Sequence, residues 1–328
     1  MALLCIKDSH TDPYFNIAAD EYALKHLKDD CFMLWRNEPS IIVGKHQNTL
    51  AEINLDYVKE KGIKVVRRVS GGGAVFHDLG NLNFTFVKNA GEGAQGDFRK
   101  FTQPILDVLL GMGINAKFEG RNDLTIDGKK FSGNAEHVYK NRVLHHGTLL
   151  FSSQRADLSE ALKVNPLKYQ DKAVKSVRSR VTNISEHLKQ QMDVEAFRDL
   201  IMQHIVEVYP DCVAYDYSTD DLNKINHLRE TKYSTWDWNF GYSPKYMLEK
   251  MVKTTGGNVE FHLNVEKGLI SELKIYGDFF NKKDVVEIEK LLIGCPHDVD
   301  HVTEKLTSIN FTEYFVNIPV EEFVPGMF

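Results

Sequence analysis

Between residues 31 and 87 the chain passes through five short runs rich in β-branched and aromatic residues, at 31–35, 40–43, 64–69, 74–77 and 81–87. Each is closed off by Gly, Asn or charged positions. Runs of this length and spacing are strands, and together they predict one sheet as the organising element of the first part of the chain. Ahead of them, Thr11-Asp12-Pro13 is a helix start. Phe15, Ala18, Ala19, Tyr22 and Ala23 then follow the i, i+3, i+4, i+7, i+8 rule, so the first helix is expected to be amphipathic. Helices over 97–110 and 194–209, with strands near Leu124 and over 145–151, complete an α+β layer design. At 328 residues the chain exceeds the usual single-domain size. The stretch 234–245, with Trp236, Trp238, Gly241 and Pro244, has little periodicity and reads as a connection that packs its aromatics. Beyond it Val259, Phe261, Leu263 and Val265 alternate, Glu266-Lys267-Gly268 turns, 269–276 returns as a partner strand and 284–293 reads as a helix. The expected division is a large domain over residues 1–245 and a small α+β domain over 246–328.

Charge and cysteine usage narrow the function. A formal charge of −6 argues against a dedicated nucleic-acid binder, which needs a basic stripe to neutralise phosphates, so any anion site is local. The four cysteines, Cys5, Cys31, Cys212 and Cys295, show no CxxC pair and no spacing that suggests a disulfide framework or a zinc site. That pattern suits a reducing compartment. The N-terminal residues turn polar at once and no stretch approaches the roughly 20 apolar residues of a membrane span, so a cytoplasmic protein without a membrane partner is expected. Residues 91–96 spell GxGxxG between a strand and a helix. Asp97 reads as that helix's N-cap, however, which leaves all three glycines in the loop before it rather than opening the helix as a dinucleotide site requires. No GxxxxGK[ST] is present, so nucleotide use cannot rest on a P-loop.

Three stretches carry candidate chemistry. In Arg67-Arg68-Val69-Ser70-Gly71-Gly72-Gly73-Ala74-Val75-Phe76-His77, consecutive glycines leave no Cβ to block an anion and let successive N–H groups converge on phosphate oxygens. The arginines add forked donors for phosphate or carboxylate. A bare triple glycine is also an ordinary turn between strands; the flanking charge and histidine favour a site. In the second stretch, from Asn122 and Asp123 to Ala135, Asp127-Gly128 marks a hairpin, so only one of Lys129 and Lys130 points inward. An inward lysine can stabilise charge developing on acyl and phosphate oxygens. The third, His145-His146-Gly147-Thr148-Leu149, is a strand on which neighbouring histidines face opposite ways, so at most one of them lines a site.

In order and spacing, Arg68-x-Ser70-Gly-Gly-Gly-Ala-Val-Phe-His-Asp, Asn122-Asp123-Leu124, Lys130-x-Ser132-Gly133-Asn134-Ala135 and His145-His146-Gly147-Thr148-Leu149 resemble the lipoate-protein ligases. The likeness continues through residues 176–183, 236–241 and 257–280. It implies a biotin/lipoyl-ligase-like catalytic domain with mixed sheets and flanking helices and a small C-terminal accessory domain. It also implies ATP with Mg2+ as cosubstrate and lipoate as the acid activated. By the same resemblance Arg68 and the backbone from Gly73 through Ala74 and Val75 to Phe76 bind the adenylate, and Lys130 touches both the lipoyl carbonyl and the phosphate. Asn122 and Asp123 face the nucleotide or its magnesium, with Asp123 as the metal ligand. Ser70, Gly71, Gly72, His77, Ser132, Gly133, Ala135, His146 and Gly147 line the lipoate pocket. The implied partners are lipoyl domains of 2-oxoacid dehydrogenase acyltransferase subunits and the glycine-cleavage H protein. The competing expectation is an ATP-independent octanoyl or lipoyl acyltransferase of the same fold working through a cysteine thiolate. All four cysteines lie outside the three stretches. A non-catalytic lipoyl-adenylate sensor is the third expectation, disfavoured by an intact Lys130.

Overall fold

A computed structural model describes residues 2–89, 97–162, 169–171 and 180–328; the GxGxxG run and residues 176–179 lie outside the described residues. In chain order the strands are β1 (Leu3–Lys7), β2 (Asp30–Trp35), β3 (Ser40–Val43), β4 (Lys64–Arg67), β5 (Val75–His77), β6 (Asn81–Asn89), β7 (Ala116–Glu119) and β8 (Asp123–Ile126). There follow β9 (Lys129–Tyr139), β10 (Arg142–Leu150), β11 (Tyr169–Asp171), β12 (Cys212–Ala214), β13 (Tyr246–Thr254), β14 (Gly257–Glu266) and β15 (Leu269–Gly277). The α-helices are α1 (Pro13–Lys25), α2 (Thr49–Glu52), α3 (Leu55–Lys61), α4 (Phe98–Gly111), α5 (Arg155–Ala161), α6 (Val194–Val208), α7 (Thr219–Leu228), α8 (Val286–Leu292), α9 (Val299–Thr307) and α10 (Val320–Phe323).

Two compact units result. One comprises the described residues of Met1–Lys45, Asp56–Leu162 and Ser176–Thr235, the other those of His46–Leu55, Lys163–Lys175 and Trp236–Phe328. In the first unit a mixed eight-stranded sheet runs β12-β1-β2-β6-β10-β9-β8-β7. One face packs Phe84, Phe86 and Leu124 against Phe101 and Ile105 of α4 and Phe197 and Ile201 of α6. Asp97 caps α4 by accepting from Lys100 N, as its position before the apolar run predicts. The strands expected to form one sheet instead form two. β3, β4 and β5 make a separate sheet in the order β4-β3-β5, with β4 parallel and β5 antiparallel to β3. Strand spacing gives elements but not partners, which is why the sequence could not separate the two sheets.

Helix α1 departs further from expectation. Asp12 caps it and Pro13 opens it as predicted, but from Phe15 to Leu24 every side chain is buried. Its polar residues are held by partners rather than by water. Asn16 Nδ2 donates to the carbonyls of His10 and Arg36, and Glu21 accepts from Lys25, Lys232 and Tyr233. At the other end the Arg142 guanidinium donates to the carbonyls of Ala23, Leu24, Leu27 and Asp29 and satisfies the last turn. Helix α1 is therefore a core helix rather than an amphipathic surface one. A second correction concerns the cysteines. Cys5 on β1 and Cys212 at the start of β12 form a disulfide, brought together by the parallel pairing of β1 with the edge strand β12 across 207 residues of sequence. No local spacing announces such a contact.

The second unit pairs β13, β14 and β15 as an antiparallel meander with β11 at one edge. Lys267 and Gly268 both take positive φ in the two-residue turn between Glu266 and Leu269. Its core gathers Leu248, Phe261 and Leu263 with Ile288, Val302, Phe315 and Phe323, and it also draws in Leu50 from the early segment. Trp236 stacks on Phe240 and fills the space where Gly268 has no Cβ. Among the described residues no helix is long and apolar enough to cross a membrane.

Candidate functional site

The three stretches converge on the first unit, and the sheet register shows how. Asp127 and Gly128, with φ of 50° and 70°, make the hairpin that sets Ile126 opposite Lys129 and Thr125 opposite Lys130. Between Lys130 and Ser132 one extra residue, Phe131, enters β9, so the pairing resumes with Leu124 opposite Ser132 and Asp123 opposite Gly133. Opposed residues share a face, and alternate residues along a strand do too. The bulge therefore puts Lys130, Asp123 and Gly133 on one face, whereas strict alternation would have set Lys130 and Gly133 on opposite faces. Lys130 Nζ lies 2.8 Å from Asp123 Oδ1, and its Cε and Nζ come within 3.0 Å of where a Cβ on Gly133 would stand. Lys129 is exposed.

The same face continues along the sheet. Ala135 lies opposite His146, and His146 lies opposite Thr85 of β6. His145 turns to the other face, where its ring stacks on Phe101 at 4.8 Å and its Nδ1 meets Glu136. Of the two adjacent histidines only His146 joins the site residues, as alternation predicts. His146 Nε2 is 2.6 Å from Ser70 Oγ, and its Nδ1 is 2.7 Å from Asp20 Oδ2 of α1. Asp20 was not among the residues picked out from sequence. Its only signal there is a carboxylate next to the apolar positions of a helix, which reads as a surface residue until the helix proves buried on all sides.

The glycine-rich segment follows β4 and is built around Arg68. Its backbone N–H donates to Val43 O, and Ser70 O accepts from Lys45 N, which ties the segment to the end of β3. Its guanidinium is buried and donates to Ser70 Oγ at 3.0 Å, Ile42 O at 3.0 Å, Gly71 O at 2.6 Å and Gly73 O at 2.9 Å. Gly72 has φ +93°, and a Cβ on Gly44 would collide with the Gly72 carbonyl, so both glycines are required by the backbone path. Burial, with Arg67 alongside, lowers the Arg68 pKa to about 10, so it is cationic at neutral pH. Ala74 is buried, and Val75, Phe76 and His77 form β5 opposite Ile42, Ile41 and Ser40. His77 is held neutral, its pKa lowered to about 3 by burial and by the charge of Arg68. Asn37 Nδ2 donates to its Nδ1, which leaves the proton on Nε2, a buried donor with no partner among the described residues.

The structure thus gathers the expected residues into two bonded groups. Arg68, Ser70, Gly71, Gly73 and His146 form one, with Asp20; Asp123, Lys130 and Gly133 form the other. Ser132, expected beside Lys130, instead lies opposite Leu124 on the core face, because the bulge turns it there; it accepts from Asn134 Nδ2, Asn122 Nδ2 donates to Asn134 O, and Gly133 N donates to Thr148 Oγ1. Gly147 is a packing glycine: a Cβ there would fall against Asn134 Oδ1 and within 2.6 Å of the Phe84 ring. Among the described residues no three His, Cys, Asp or Glu side chains are grouped to hold a metal ion. The arrangement offers a cation, a lysine ammonium and a glycine loop with little side-chain cover, which is equipment for binding anions and stabilising oxyanions rather than for nucleophilic attack. The free cysteines supply no nucleophile either. Cys31 is buried, and burial pushes its thiol up to about 12, while Cys295 is buried in the second unit.

Comparison with known proteins agrees over both units. A family model described as the lipoyl protein ligase A/B catalytic domain matches residues 12–206, and one described as the bacterial lipoate protein ligase C-terminus matches residues 243–325. Lipoate-protein ligase LplJ of Bacillus subtilis is 44% identical over 317 residues, which span 95% of this chain and 96% of that protein. Among solved structures, a bi-partite lipoate protein ligase from Thermoplasma acidophilum, described together with its E2 lipoyl domain, shares 26% identity at a TM-score of 0.62. That match covers 74% of this chain and 96% of the other. A lipoate-protein ligase A bound with ATP shares 25% identity at a TM-score of 0.61, covering 74% of this chain and 98% of its own.

Proposed function

The chain belongs to the lipoate-protein ligase family, and from that premise we propose how its site carries out ATP-dependent lipoate ligation. A carboxylate is a poor acyl donor. Its oxygen first attacks the α-phosphorus of ATP, releasing pyrophosphate and forming lipoyl-AMP. The ε-amine of a carrier lysine then attacks the carbonyl carbon, the bond to the phosphate oxygen breaks and AMP leaves. Both steps build negative charge on oxygen. The observation that carries the assignment of roles is the bulged hairpin that presents the Lys130 ammonium beside Gly133 and Asp123. From there Lys130 neutralises the carboxylate and α-phosphate, then the charge on the carbonyl oxygen. Arg68 holds the glycine segment so that the backbone from Gly73 to Phe76 serves the adenylate. Ser70, His77 and His146 line the lipoyl end.

Mg2+ fits this donor set through Asp123 alone. Magnesium in nucleotide sites takes one or two carboxylates and completes its shell with phosphate oxygens and water. Bound there, it would neutralise phosphate charge, and Asp123 would then release Lys130. Carriers are lipoyl domains of 2-oxoacid dehydrogenase acyltransferases and the glycine-cleavage H protein, in the cytoplasm, with residues 246–328 acting as the accessory domain. The ATP-independent transferase reading lacks a thiolate: Cys5 and Cys212 are joined, and the other two are buried with raised pKa values. Incubating the chain with lipoate, Mg-ATP and an unmodified lipoyl domain or H protein, and weighing each carrier by mass spectrometry, tests the assignment. Lipoylation is expected only with ATP present. Modification from an acyl donor without ATP would establish the transferase instead.

A further inference from the structure

Arg68 is a buried cation whose four bonded acceptors are all neutral oxygens. A guanidinium deprived of water needs compensating charge. Following its hydrogen bonds outward leads from Nε to Ser70 Oγ, from Ser70 to His146 Nε2 at 2.6 Å, and from His146 Nδ1 to Asp20 Oδ2 at 2.7 Å. The chain ends on a buried carboxylate contributed by a different element. The other Asp20 oxygen accepts from Thr85 Oγ1 at 2.8 Å, and Thr85 in turn accepts from Trp35 Nε1 at 3.0 Å. Both oxygens of Asp20 are thus committed as acceptors, and that commitment fixes the direction of everything downstream. The His146 proton sits on Nδ1, Nε2 is an acceptor, the Ser70 hydroxyl donates to it, and the Ser70 oxygen remains open to Arg68.

We propose that Asp20 is the positioning residue of the glycine-rich segment. Through His146 and Ser70 it orients the Arg68 fork that pins the carbonyls of Gly71 and Gly73. The consequence rests on the reading of that segment as the nucleotide cradle: pinning the two carbonyls presets the direction of the intervening N–H groups before the phosphates arrive, so Asp20 contributes to ATP affinity without touching ATP. An amide at position 20 cannot accept from both Thr85 and His146 with the same polarity. Either His146 changes tautomer and turns a donor toward Ser70, or Thr85 loses its acceptor. In both cases the orientation of Arg68 is no longer unique.

The test uses the full chain and titrates ATP with Mg2+ by calorimetry, alongside nitrogen NMR of labelled histidine to read the His146 tautomer. Asp20→Asn should weaken ATP binding by roughly ten- to a hundredfold, the span of one lost hydrogen bond to a charged group. It should also shift the His146 nitrogen signals, while Asp20→Glu, which keeps the carboxylate, recovers part of the affinity. Ser70→Ala cuts the same chain lower down and should weaken ATP binding with the His146 tautomer unchanged; it decides the matter should Asp20→Asn fail to fold. Wild-type affinity in folded Asp20→Asn, or in Ser70→Ala, overturns the proposal. Absence of ATP binding in the wild-type chain would instead overturn the nucleotide-cradle reading.

Discussion

Replacing Lys130 by Ala removes one ammonium and little else. Its backbone N–H donates to Arg180 O at 2.8 Å and its carbonyl accepts from Thr182 N at 3.0 Å, and neither bond involves the side chain. The side-chain pair with Asp123 is partly exposed, at 26% and 30%, and a solvated ion pair of this kind contributes about 0–1 kcal/mol. Lys130→Ala should therefore remain folded, with thermal stability close to wild type. Its catalytic loss should be much larger, because a preorganised donor aimed at a developing oxyanion is worth about 10²–10³ in rate. Lys130→Arg should rescue poorly. A planar fork does not replace a compact ammonium charge at this position. Lys129→Ala, on the exposed side of the turn, should behave as wild type. Pyrophosphate release reports the first half-reaction, and transfer from supplied lipoyl-AMP to a carrier reports the second; Lys130→Ala should lose both. An active Lys130→Ala, or equal losses at the two lysines, would refute the placement of Lys130 at the reacting oxygens.

Acid should act through Glu21. Burial alone would raise its pKa, but bonds from Lys232, Lys25 and Tyr233 outweigh it and lower the carboxyl from 4.5 to about 2. A displacement of this size contributes on the order of 3 kcal/mol, fully present above pH 4.5 and lost as pH falls toward 2, so the melting-temperature gap between wild type and Glu21→Gln should close on acidification. Gly147→Ala forces a methyl against Asn134 and Phe84 and should destabilise the fold by about 1–3 kcal/mol in denaturant titration. A variant with all four cysteines replaced should keep most of its ligation activity provided it folds; a trapped thioester in the wild-type chain, or no turnover in the folded variant, would speak for the transferase.

Local rules carried the reading where the physics is local. The cap at Asp12, the turn at Asp127-Gly128, the opposed faces of His145 and His146 and the cap at Asp97 all depend on residues within a few positions of each other. What escaped depends on distant partners. Asp20 and Glu21 occupy helix positions that would be solvated on a surface helix, and only the cover given to Glu21 by residues 232–233 and to Asp20 by the sheet makes them buried ligands. The division into two sheets and the joining of Cys5 to Cys212 are likewise matters of which strands meet. Arg68 was expected to serve a ligand directly. Its observed bonds are to the carbonyls of Gly71 and Gly73, so it shapes the glycine-rich segment itself.

The bulge at Phe131 joins these two kinds of information. The Asp-Gly turn and strand alternation separate Lys129 from Lys130, but a regular strand would then align Lys130 with Ser132 and send Gly133 to the opposite face. Phe131 is fully buried beside Leu124 and Ile126, and Leu124 and Ile126 occupy the core face of β8. The extra residue between Lys130 and Ser132 lengthens β9 without advancing the pairing, and every later residue of β9 changes face as a result. Gly133 and Ala135 consequently come to the side of Lys130, and through the pairing of Ala135 with His146 so does the Asp20 chain. The ammonium and the chain that orients Arg68 therefore share a face because β9 carries one extra residue between Lys130 and Ser132. Alternation alone separates Lys129 from Lys130, but the bulge determines which residues Lys130 meets on its face.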